Sequence, residues 1–354
     1  MNSNYFKRLV NPSNKEITVI TEMSGNHQNS YNSALKFINS CIKQNVDIVK
    51  FQVYKPNTMT IKSESSDFLI EKSSQWKKFK SLYDLFQHAH TPWPWIEKFT
   101  KILNKKNIHW FASAFDSSSV DFLESINCQA YKLASPEITD IGLIEKIANT
   151  GKPLIISTGM ASLEDIKLAV KTIKKKHNKF AILKCTSSYP ADSKDLNLKA
   201  INLLRKYFKC AVGYSDHTIG EYAALTAVGL GATIIEKHFK LDGDNLSVDA
   251  SFSMELSKFK LFKNNLNNVK ISLGKETLDN KLSKLKNSGR RSLYVCQDIN
   301  LGEKFTLENI QSIRPSYGMH PKYLKKILGK KAKKNIKAGN RLTKDLIQEF
   351  KHND

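Results

Sequence analysis

The chain lacks any run of about 18 apolar residues, the length that a membrane-spanning helix needs, so the sequence predicts no membrane partner. The N-terminal stretch MNSNYFKRLVNPSNKEI also lacks the apolar segment of a signal peptide. Cysteine is scarce: the five residues are scattered and never form a CxxC pair, which is typical of reduced thiols rather than a disulfide framework. Together these absences predict a cytoplasmic protein.

Acidic residues are few relative to basic ones, 33 against 56, and the net charge is +23. A charge of this size is one mark of nucleic-acid binding. However, the basic runs at 171–179 and 325–334 contain no interleaved aromatic residues, which favours a lysine-rich surface in contact with water. We therefore expect no nucleic-acid partner, and a positive field that would steer anionic substrates.

The 354 residues, 40% of them hydrophobic, are enough for a barrel-sized domain with an appendage. Short β-branched runs alternate with amphipathic helical segments, which predicts an α/β fold, a (β/α)8 TIM barrel, with an open doubly wound sheet as the alternative. One long connection, 55–94, is of the length that usually carries function, and a helix is predicted near 81–90. The predicted strands are 17–24, 46–54, 108–115, 130–135, 153–159, 180–188, 210–216 and 232–239.

A helical sequence pattern continues over 255–286, and the residues beyond it contain an internal repeat. The segment DINLGEKFTLENI (298–310) is similar to NIKAGNRLTKDLI (335–347) at a constant offset of 37 residues. A duplicated strand–turn motif predicts a small pseudo-symmetric β domain. We predict a catalytic domain at 1–280, a linker at 281–290 and the β-rich domain at 291–354. The matched pairs are Ile299 with Ile336, Gly302 with Gly339, Thr306 with Thr343 and Ile310 with Ile347.

Two histidines follow neighbouring predicted strands. His217 ends the seventh strand and His238 the eighth, 21 residues apart, which places both at the same edge of a βαβ unit. Imidazoles at such an edge can bind one divalent ion and leave positions open for substrate. The alternative is a pair of hydrogen-bonded core histidines. The matched strand ends favour the metal site.

Other polar side chains collect at the carboxyl ends of the predicted strands, where TIM barrels carry their chemistry. Buried lysines and carboxylates are costly without partners, so the cluster favours an anionic ligand beside a metal. Lysines and hydroxyls can bind a phosphate and a carboxylate, the metal can polarise a carbonyl oxygen, and Glu22 can accept a proton. A phosphorylated enol and an aldehyde would match that set. The residues are Glu22, Lys50, Gln52, Ser113, Lys132, Ser135, Ser157, Lys184, Ser187, Tyr189, Ser215 and Asp249, of which Lys184 is alternatively paired with Glu236 or Glu22.

A series of specific motifs spreads over residues 15–350. They are TEMSGNHQNS (21–30), KFQVY (50–54), LYDLFQHAHTPW (82–93), YKLASPEI (131–138), STGM (157–160), KCTSSYPA (184–191), GYSDHTIG (213–220), ATIIEKHF (232–239), VDASFSM (248–254) and RRSLYV (290–295). In these motifs the chain resembles the sialic acid synthase family, and its C-terminal repeat resembles that family's antifreeze-like (SAF) domain.

The resemblance implies a transferase that condenses phosphoenolpyruvate with an N-acetylated amino sugar, releasing phosphate and a nine-carbon 2-keto acid. It assigns His217 and His238 as ligands of a divalent metal, Mn²⁺ or else Mg²⁺ or Co²⁺, and Glu22 as the catalytic acid/base. Arg314 matches an arginine that reaches the partner's barrel in a domain-swapped homodimer. The implied substrate-binding positions are Lys50, Lys132, Ser135, Ser157, Ser187 and Ser215 for phosphoenolpyruvate, and Gln52, Tyr189 and Asp249 near the metal or sugar. Ser113, at the end of the third predicted strand, is predicted to bind substrate as well.

The sugar is indicated by two motifs, LYDLFQHAHTPW and VDASFSM, which resemble the branch of the family that makes pseudaminic acid. Its sugar would be 2,4-diacetamido-2,4,6-trideoxy-L-altrose, and a pocket lined by Tyr83, Phe86 or Trp93 would suit that less polar molecule. The alternative within the family is an N-acetylneuraminate or legionaminate synthase that uses N-acetylmannosamine or a related sugar. The segment 68–80 departs from the family pattern, which predicts a reshaped loop.

Two readings from other classes remain open on the residues alone. A Schiff-base aldolase would use Lys184 or Lys132 as its nucleophile and would be indifferent to chelators. A basic binding protein with a decayed barrel would bind nucleic acid in a steeply salt-dependent way and turn nothing over.

Overall fold

Eight short parallel strands form the centre of the first of two units, Met1–Gly274. The computed structural model describes residues 3–276 and 289–350. Each strand pairs with the next along the chain, and the first also pairs with the eighth, so the sheet is closed. The predicted TIM barrel is therefore confirmed, and the open sheet is excluded. The strands are β1 Thr18–Glu22, β2 Ile48–Val53, β3 His109–Ala114, β4 Tyr131–Leu133, β5 Leu154–Ser157, β6 Phe180–Cys185, β7 Ala211–Asp216 and β8 Ile234–Lys240, with a short β9 Met254–Glu255 beside β8.

Helices connect successive strands, and several begin at a side chain that accepts a backbone N–H, as N-caps do. Ser30, Asp116 and Asp140 each cap the helix that follows, and Ser162 forms a capping box with Asp165. The helices are α1 Ser3–Leu9, α2 Tyr31–Gln44, α3 Pro56–Met59, α4 Leu82–Ala89, α5 Trp93–Lys105, α6 Ser117–Ser125, α7 Ile141–Asn149, α8 Leu163–Lys174, α9 Ala200–Phe208, α10 Tyr222–Gly229 and α11 Phe259–Ser272. None of the helices in the described ranges is both long and apolar enough to cross a bilayer.

The barrel strands are buried on both faces. Every residue of β1, β5 and β7 is buried, because one side of each strand fills the barrel and the other packs under helices. Gly213 is required in β7, since a Cβ there would collide with the backbone of Ile234 in β8. This close approach brings the ends of β7 and β8, and the residues that follow them, side by side.

The second unit, Lys275–Asp354, contains β10 Ser292–Val295, β11 Ile310–Ile313 and the short α12 Leu324–Ile327. Ile299 and Ile336 exchange backbone hydrogen bonds of 2.9 and 2.8 Å, so the matched positions of the repeat pair with each other. Gly302 donates to Ala332 O, and Gly339 donates to Val295 O, a contact related to the first by the same offset of 37 residues. The predicted duplication thus folds as a pseudo-two-fold β domain.

The predicted linker, 281–290, lies mostly within 277–288, outside the described residues, as does the end of the helix expected over 255–286. The predicted domain boundaries therefore stay predictions. The described part of that helix is α11, which is preceded by β9 and a short 3₁₀ turn, Leu256–Lys258, rather than by helix from residue 255.

Candidate active site

Two cavities adjoin at the carboxyl end of the barrel. The inner cavity, of about 50 Å³, lies among the strand ends, and the outer cavity, of about 730 Å³, lies among the loops. They share Gln52, Ala134, Pro136, Tyr189 and His238, so a molecule in one would meet a molecule in the other. The inner cavity is lined by Lys50, Gln52, Ser113, Lys132, Ala134, Ser135, Pro136, Ser157, Cys185, Tyr189, Ser215, His217, Glu236 and His238.

Charged groups of both signs alternate around the inner cavity. Lys50 forms an ion pair with Glu22 and lies 3.4 Å from Glu236, while Lys132 also lies 3.4 Å from Glu236. Ser215 donates to Glu236 at 2.7 Å. Glu22 is 1% exposed and Lys132 is 2% exposed, so these charges are shielded from water. A buried network of this kind is costly unless it serves a ligand or holds a defined geometry.

The network sets the protonation of its members. Burial raises the pKa of Glu22 despite the ammonium of Lys50. Burial would also raise the pKa of Glu236, but Lys132 and Lys50 outweigh it and hold that pKa below the usual range. Burial lowers the pKa of Lys132, whereas Glu22 and Glu236 outweigh burial at Lys50 and raise its pKa. Glu236 is thus a fixed negative charge, and Glu22 is the carboxylate that takes up a proton more readily.

Hydroxyl groups gather where β5 ends. Gly159 N–H donates to Ser135 Oγ at 2.5 Å, and a Cβ on Gly159 would meet the hydroxyls of Ser135 and Ser187 at once. The hydroxyl of Ser157 is buried and has no hydrogen-bond partner among the described residues. A buried hydroxyl left in this state points to a missing ligand. With the two lysines, this cradle suits a phosphate group.

The histidine pair lies beside the cradle, with ring centroids 5.3 Å apart. His217 Nδ1 lies 2.9 Å from Thr186 O. Since a carbonyl only accepts, Nδ1 carries the proton and Nε2 is free to bind a metal. Burial and His217 lower the pKa of His238, which keeps its imidazole neutral. Asp249 Oδ2 lies 3.7 Å from His238 Nδ1.

This donor set fits a divalent ion that takes two protein ligands. In the described ranges, 3–276 and 289–350, no group of three or more His, Cys, Asp or Glu side chains is placed to hold a metal ion. His238 Nδ1 is buried without a hydrogen-bond partner within those ranges. The protein would therefore supply two imidazoles, and the remaining coordination positions would fall to water or substrate.

A buried ion pair lies directly beside the histidines. Lys237 donates to Asp216 at 2.8 Å and to Thr218 O at 2.8 Å, and both charged residues are 1% exposed. Asp216 and Lys237 are register partners on β7 and β8, each adjacent in sequence to a histidine. Because side chains alternate along a strand, this pair points away from the inner cavity and the histidines point toward it. Asp216 therefore holds the strand ends together rather than contributing a metal ligand.

The outer cavity has largely apolar walls, although Glu71, Glu137 and Asp249 also line it, and Glu137 Oε2 is buried without a hydrogen-bond partner among the described residues. Burial raises the pKa of the Glu137 carboxyl to about 7. Phe86 lines the outer cavity as predicted, but Tyr83 and Trp93 do not. Trp93 instead stacks on Phe122, with ring centroids 4.5 Å apart. Such a cavity is large enough for a sugar.

The structure brings most of the predicted site residues together. Glu22 lies behind Lys50 and lines neither cavity, whereas Asp249 lines the outer one. Ser187 lies over Gly159. Arg314 belongs to the second unit, where it is exposed. The remaining predicted residues, Lys50, Gln52, Ser113, Lys132, Ser135, Ser157, Tyr189, Ser215, His217 and His238, line the inner cavity.

Lys184 departs from its predicted pairing. Its ammonium donates to Cys185 O at 2.5 Å. Side chains alternate along β6, and since Cys185 lines the inner cavity, Lys184 points away from it and does not reach Glu22 or Glu236. Glu236 is a central residue that the predicted site did not include. It stands two residues before His238 on β8, so the strand period of two could have placed both on the cavity side.

A closed parallel barrel with a basic, hydroxyl-lined cavity beside two histidines defines a barrel enzyme acting on an anionic substrate. Comparison with known proteins identifies the family. Residues 37–277 match the NeuB family and residues 290–348 match the SAF domain. The chain belongs to the NeuB family, the sialic acid synthases, which confirms the predicted resemblance.

Individual relatives agree with this assignment. The pseudaminic acid synthase of Campylobacter jejuni is 41% identical over 330 residues, covering 93% of this chain and 96% of the relative. The pseudaminic acid synthase of Helicobacter pylori is 38% identical over 333 residues, covering 93% and 97%. The crystal structure of an N-acetylneuraminic acid synthetase from Leptospira borgpetersenii is 30% identical, with a TM-score of 0.67 over 76% of this chain and 89% of that one.

Proposed function

We propose that this protein is a pseudaminic acid synthase: it condenses phosphoenolpyruvate with 2,4-diacetamido-2,4,6-trideoxy-L-altrose to give pseudaminic acid and phosphate. The observation that carries the proposal is the pair of joined cavities, one basic and hydroxyl-lined and the other apolar and sugar-sized. The relatives named above support the same class of carbon–carbon bond-forming transferase.

Phosphoenolpyruvate fits the inner cavity by charge. Its phosphate and carboxylate would be held by Lys50, Lys132 and the hydroxyls of the cradle, and they would take the place of the contact that Lys50 now makes with Glu22. The orphaned hydroxyl of Ser157 would gain its missing partner. Glu236, which also lines this cavity, would keep its ion pairs with both lysines and so hold the two ammonium groups in place.

The reaction then needs a proton carrier beside the bound enol. The methylene carbon of phosphoenolpyruvate attacks the aldehyde carbon of the open-chain sugar, and water adds to the cationic carbon that results. Glu22, whose pKa burial raises, would accept the proton of that water through the adjoining network, which balances the proton that the aldehyde oxygen takes up as it becomes a hydroxyl. The tetrahedral hemiketal phosphate then collapses, and the carbon–oxygen bond breaks as phosphate leaves.

A divalent ion on His217 and His238 would polarise the aldehyde oxygen and so favour attack on its carbon. We propose Mn²⁺, with Mg²⁺ or Co²⁺ as substitutes. The neutral imidazole of His238 and the Nδ1 hydrogen bond of His217, which leaves its Nε2 for the ion, support this assignment. Burial would lower the pKa of His217, but Cys185 outweighs it and raises that pKa, so binding of the ion there would release a proton. Tyr189 packs against His217 at a centroid distance of 4.3 Å and would limit how that ring can turn.

Two expectations from the sequence, a cytoplasmic location and a domain-swapped homodimer, complete the proposal. The five cysteines are free, which supports a location in the reducing cytoplasm. We propose that the enzyme is a domain-swapped homodimer in which Arg314, exposed on the SAF unit, enters the partner's barrel. Subunit exchange between inactive R314A and H238A dimers would make half of the dimers mixed. Each mixed dimer would have one site with both His238 and Arg314, so about a quarter of all sites would recover activity. No recovery after verified exchange would refute the swap.

Phosphate release from phosphoenolpyruvate tests the function. The purified protein should release phosphate with the trideoxy sugar and Mn²⁺, and a chelator should stop it. Release with N-acetylmannosamine or a legionaminate precursor alone would keep the family and change the substrate. A product trapped by borohydride, with indifference to chelators, would indicate an aldolase, for which Lys132 rather than Lys184 lines the cavity.

A further inference from the structure

Two loops are tied together over the outer cavity. The first, 69–81, closes on itself through a backbone bridge between Leu69 and Ser81, and the second, 244–252, follows β8. Leu69, Ile70 and Trp76 of the first loop line the outer cavity, as do Val248 and Asp249 of the second. The two loops therefore form adjoining walls of one binding space.

Three hydrogen bonds join these loops. The indole N–H of Trp76 donates to Val248 O at 3.1 Å. Ser251 donates to the side chain of Gln75 at 2.8 Å, and Lys78 donates to Leu246 O at 3.4 Å. Of these three side chains on the first loop, Trp76 is the one that lines the outer cavity. Its hydrogen bond to Val248 O holds the indole beside Asp249, whose carboxylate lies 3.7 Å from the ring of His238.

The indole also begins a run of aromatic contacts that leads to the histidine pair. Trp76 and Tyr189 have ring centroids 5.7 Å apart, and Tyr189 and His217 are 4.3 Å apart. Other apolar side chains, including Leu85 and Phe86, line the same cavity. A molecule whose aldehyde lies at the histidines would thus extend along Trp76.

We propose that Trp76 is the residue that selects the sugar, by packing its indole against the apolar, methyl-bearing end of a 6-deoxy amino-sugar aldehyde. The inference rests on the proposed function. Aromatic rings offer large, rigid apolar area with geometric preference, and here the ring is oriented by the N–H bond to Val248. A 6-hydroxyl would be placed against this wall with its hydrogen bonds to water lost, which disfavours the hydroxymethyl analogue.

Steady-state kinetics of W76A and W76F test the proposal, with the 6-deoxy diacetamido sugar and its 6-hydroxy counterpart. W76A should raise the KM for the deoxy sugar about 10- to 100-fold, move the KM for phosphoenolpyruvate less than about twofold, and bring the two sugars' kcat/KM values close together. W76F keeps a ring but loses the donor, so its effect should be smaller. W93F is the matched control, because Trp93 stacks on Phe122 outside the cavity lining.

Fluorescence gives a readout apart from turnover. Sugar titrated onto the enzyme with phosphoenolpyruvate should quench the tryptophan emission of the wild type and of W93F but much less that of W76F. Unchanged sugar preference in a folded W76A, or equal quenching in W76F and wild type, would overturn the role of Trp76. Failure of the wild-type protein to use either sugar would instead overturn the proposed function.

Discussion

Gly159→Ala tests whether the cradle after β5 holds the substrate's phosphate. A Cβ at this position would lie 2.9 Å from Ser135 Oγ and 3.0 Å from Cys185 Sγ, and closer still to Ser187 Oγ. The backbone of Gly159 is outside the left-handed region, so alanine adds no backbone strain and the whole effect comes from the methyl group.

The size of the effect follows from the displacement. Ordinary contact begins at 3.4 Å, so at least two hydroxyls must move, the nearer by about 1 Å. A misplacement of about 1 Å in a catalytic site costs about 100-fold in rate, or about 2.7 kcal/mol. We expect kcat/KM for phosphoenolpyruvate to fall by that factor while the KM for the sugar changes little, because the displaced hydroxyl of Ser135 lines the inner cavity and not the outer one.

The assay is phosphate release at saturating sugar with phosphoenolpyruvate varied. Gly229→Ala is the matched control, since its Cβ would have one neighbour, Val269, at an ordinary 4.0 Å. G229A should keep wild-type kinetics and equal or greater thermal stability. If G159A folds, with a thermal midpoint near that of the wild type, and stays within twofold of its kcat/KM, the cradle does not hold the phosphate.

Four further outcomes are expected. E22Q should lower kcat by about 10²- to 10⁴-fold while phosphoenolpyruvate still binds by calorimetry, and an unchanged kcat would remove Glu22 from proton transfer. Added Mn²⁺ should restore the chelated wild type but not H238A; recovery of H238A would count against the histidine site. The pKa of Glu137 is raised to about 7 in the fold, so its stabilising contribution is fully present below pH 4.5 and is lost as pH rises to 7. The melting temperature of E137Q should therefore fall less than that of the wild type between pH 4.5 and 7. An identical fall in both proteins would refute the raised pKa. K237M should lower the free energy of unfolding in urea by about 3–5 kcal/mol by stranding the charge of Asp216, whereas D216N/K237M should recover most of it; equal losses would contradict the pairing.

The barrel was predictable because its signals are local. Several strands, such as β1, β2 and β5, are short β-branched runs, and several helices start at a Ser or Asp cap, so pattern and turn chemistry agree along much of the chain. The pseudo-symmetry of the second unit was equally readable, since Ile299 and Ile336 repeat at a fixed offset and pair in space.

The walls of the sugar site were not predictable in the same way. Trp76 reaches the outer cavity through contacts with Val248, 172 residues away in sequence, and no local pattern encodes such a contact. Trp93, in a conspicuous motif, instead starts helix α5 and packs on α6. Glu236 lay within reach of sequence reasoning through the period of β8, whereas the unpaired state of Ser157 needed coordinates.

Phosphoenolpyruvate labelled with ¹⁸O in its bridging oxygen gives the most direct test of the account. With the trideoxy sugar and Mn²⁺, the protein should transfer the label to the released phosphate, seen by ³¹P NMR, together with an unlabelled nine-carbon keto acid in the mass spectrum. That result would follow from water adding to carbon and the carbon–oxygen bond breaking. Label retained in the keto acid, or release of phosphate that does not depend on the sugar, would contradict the condensation proposed for this site.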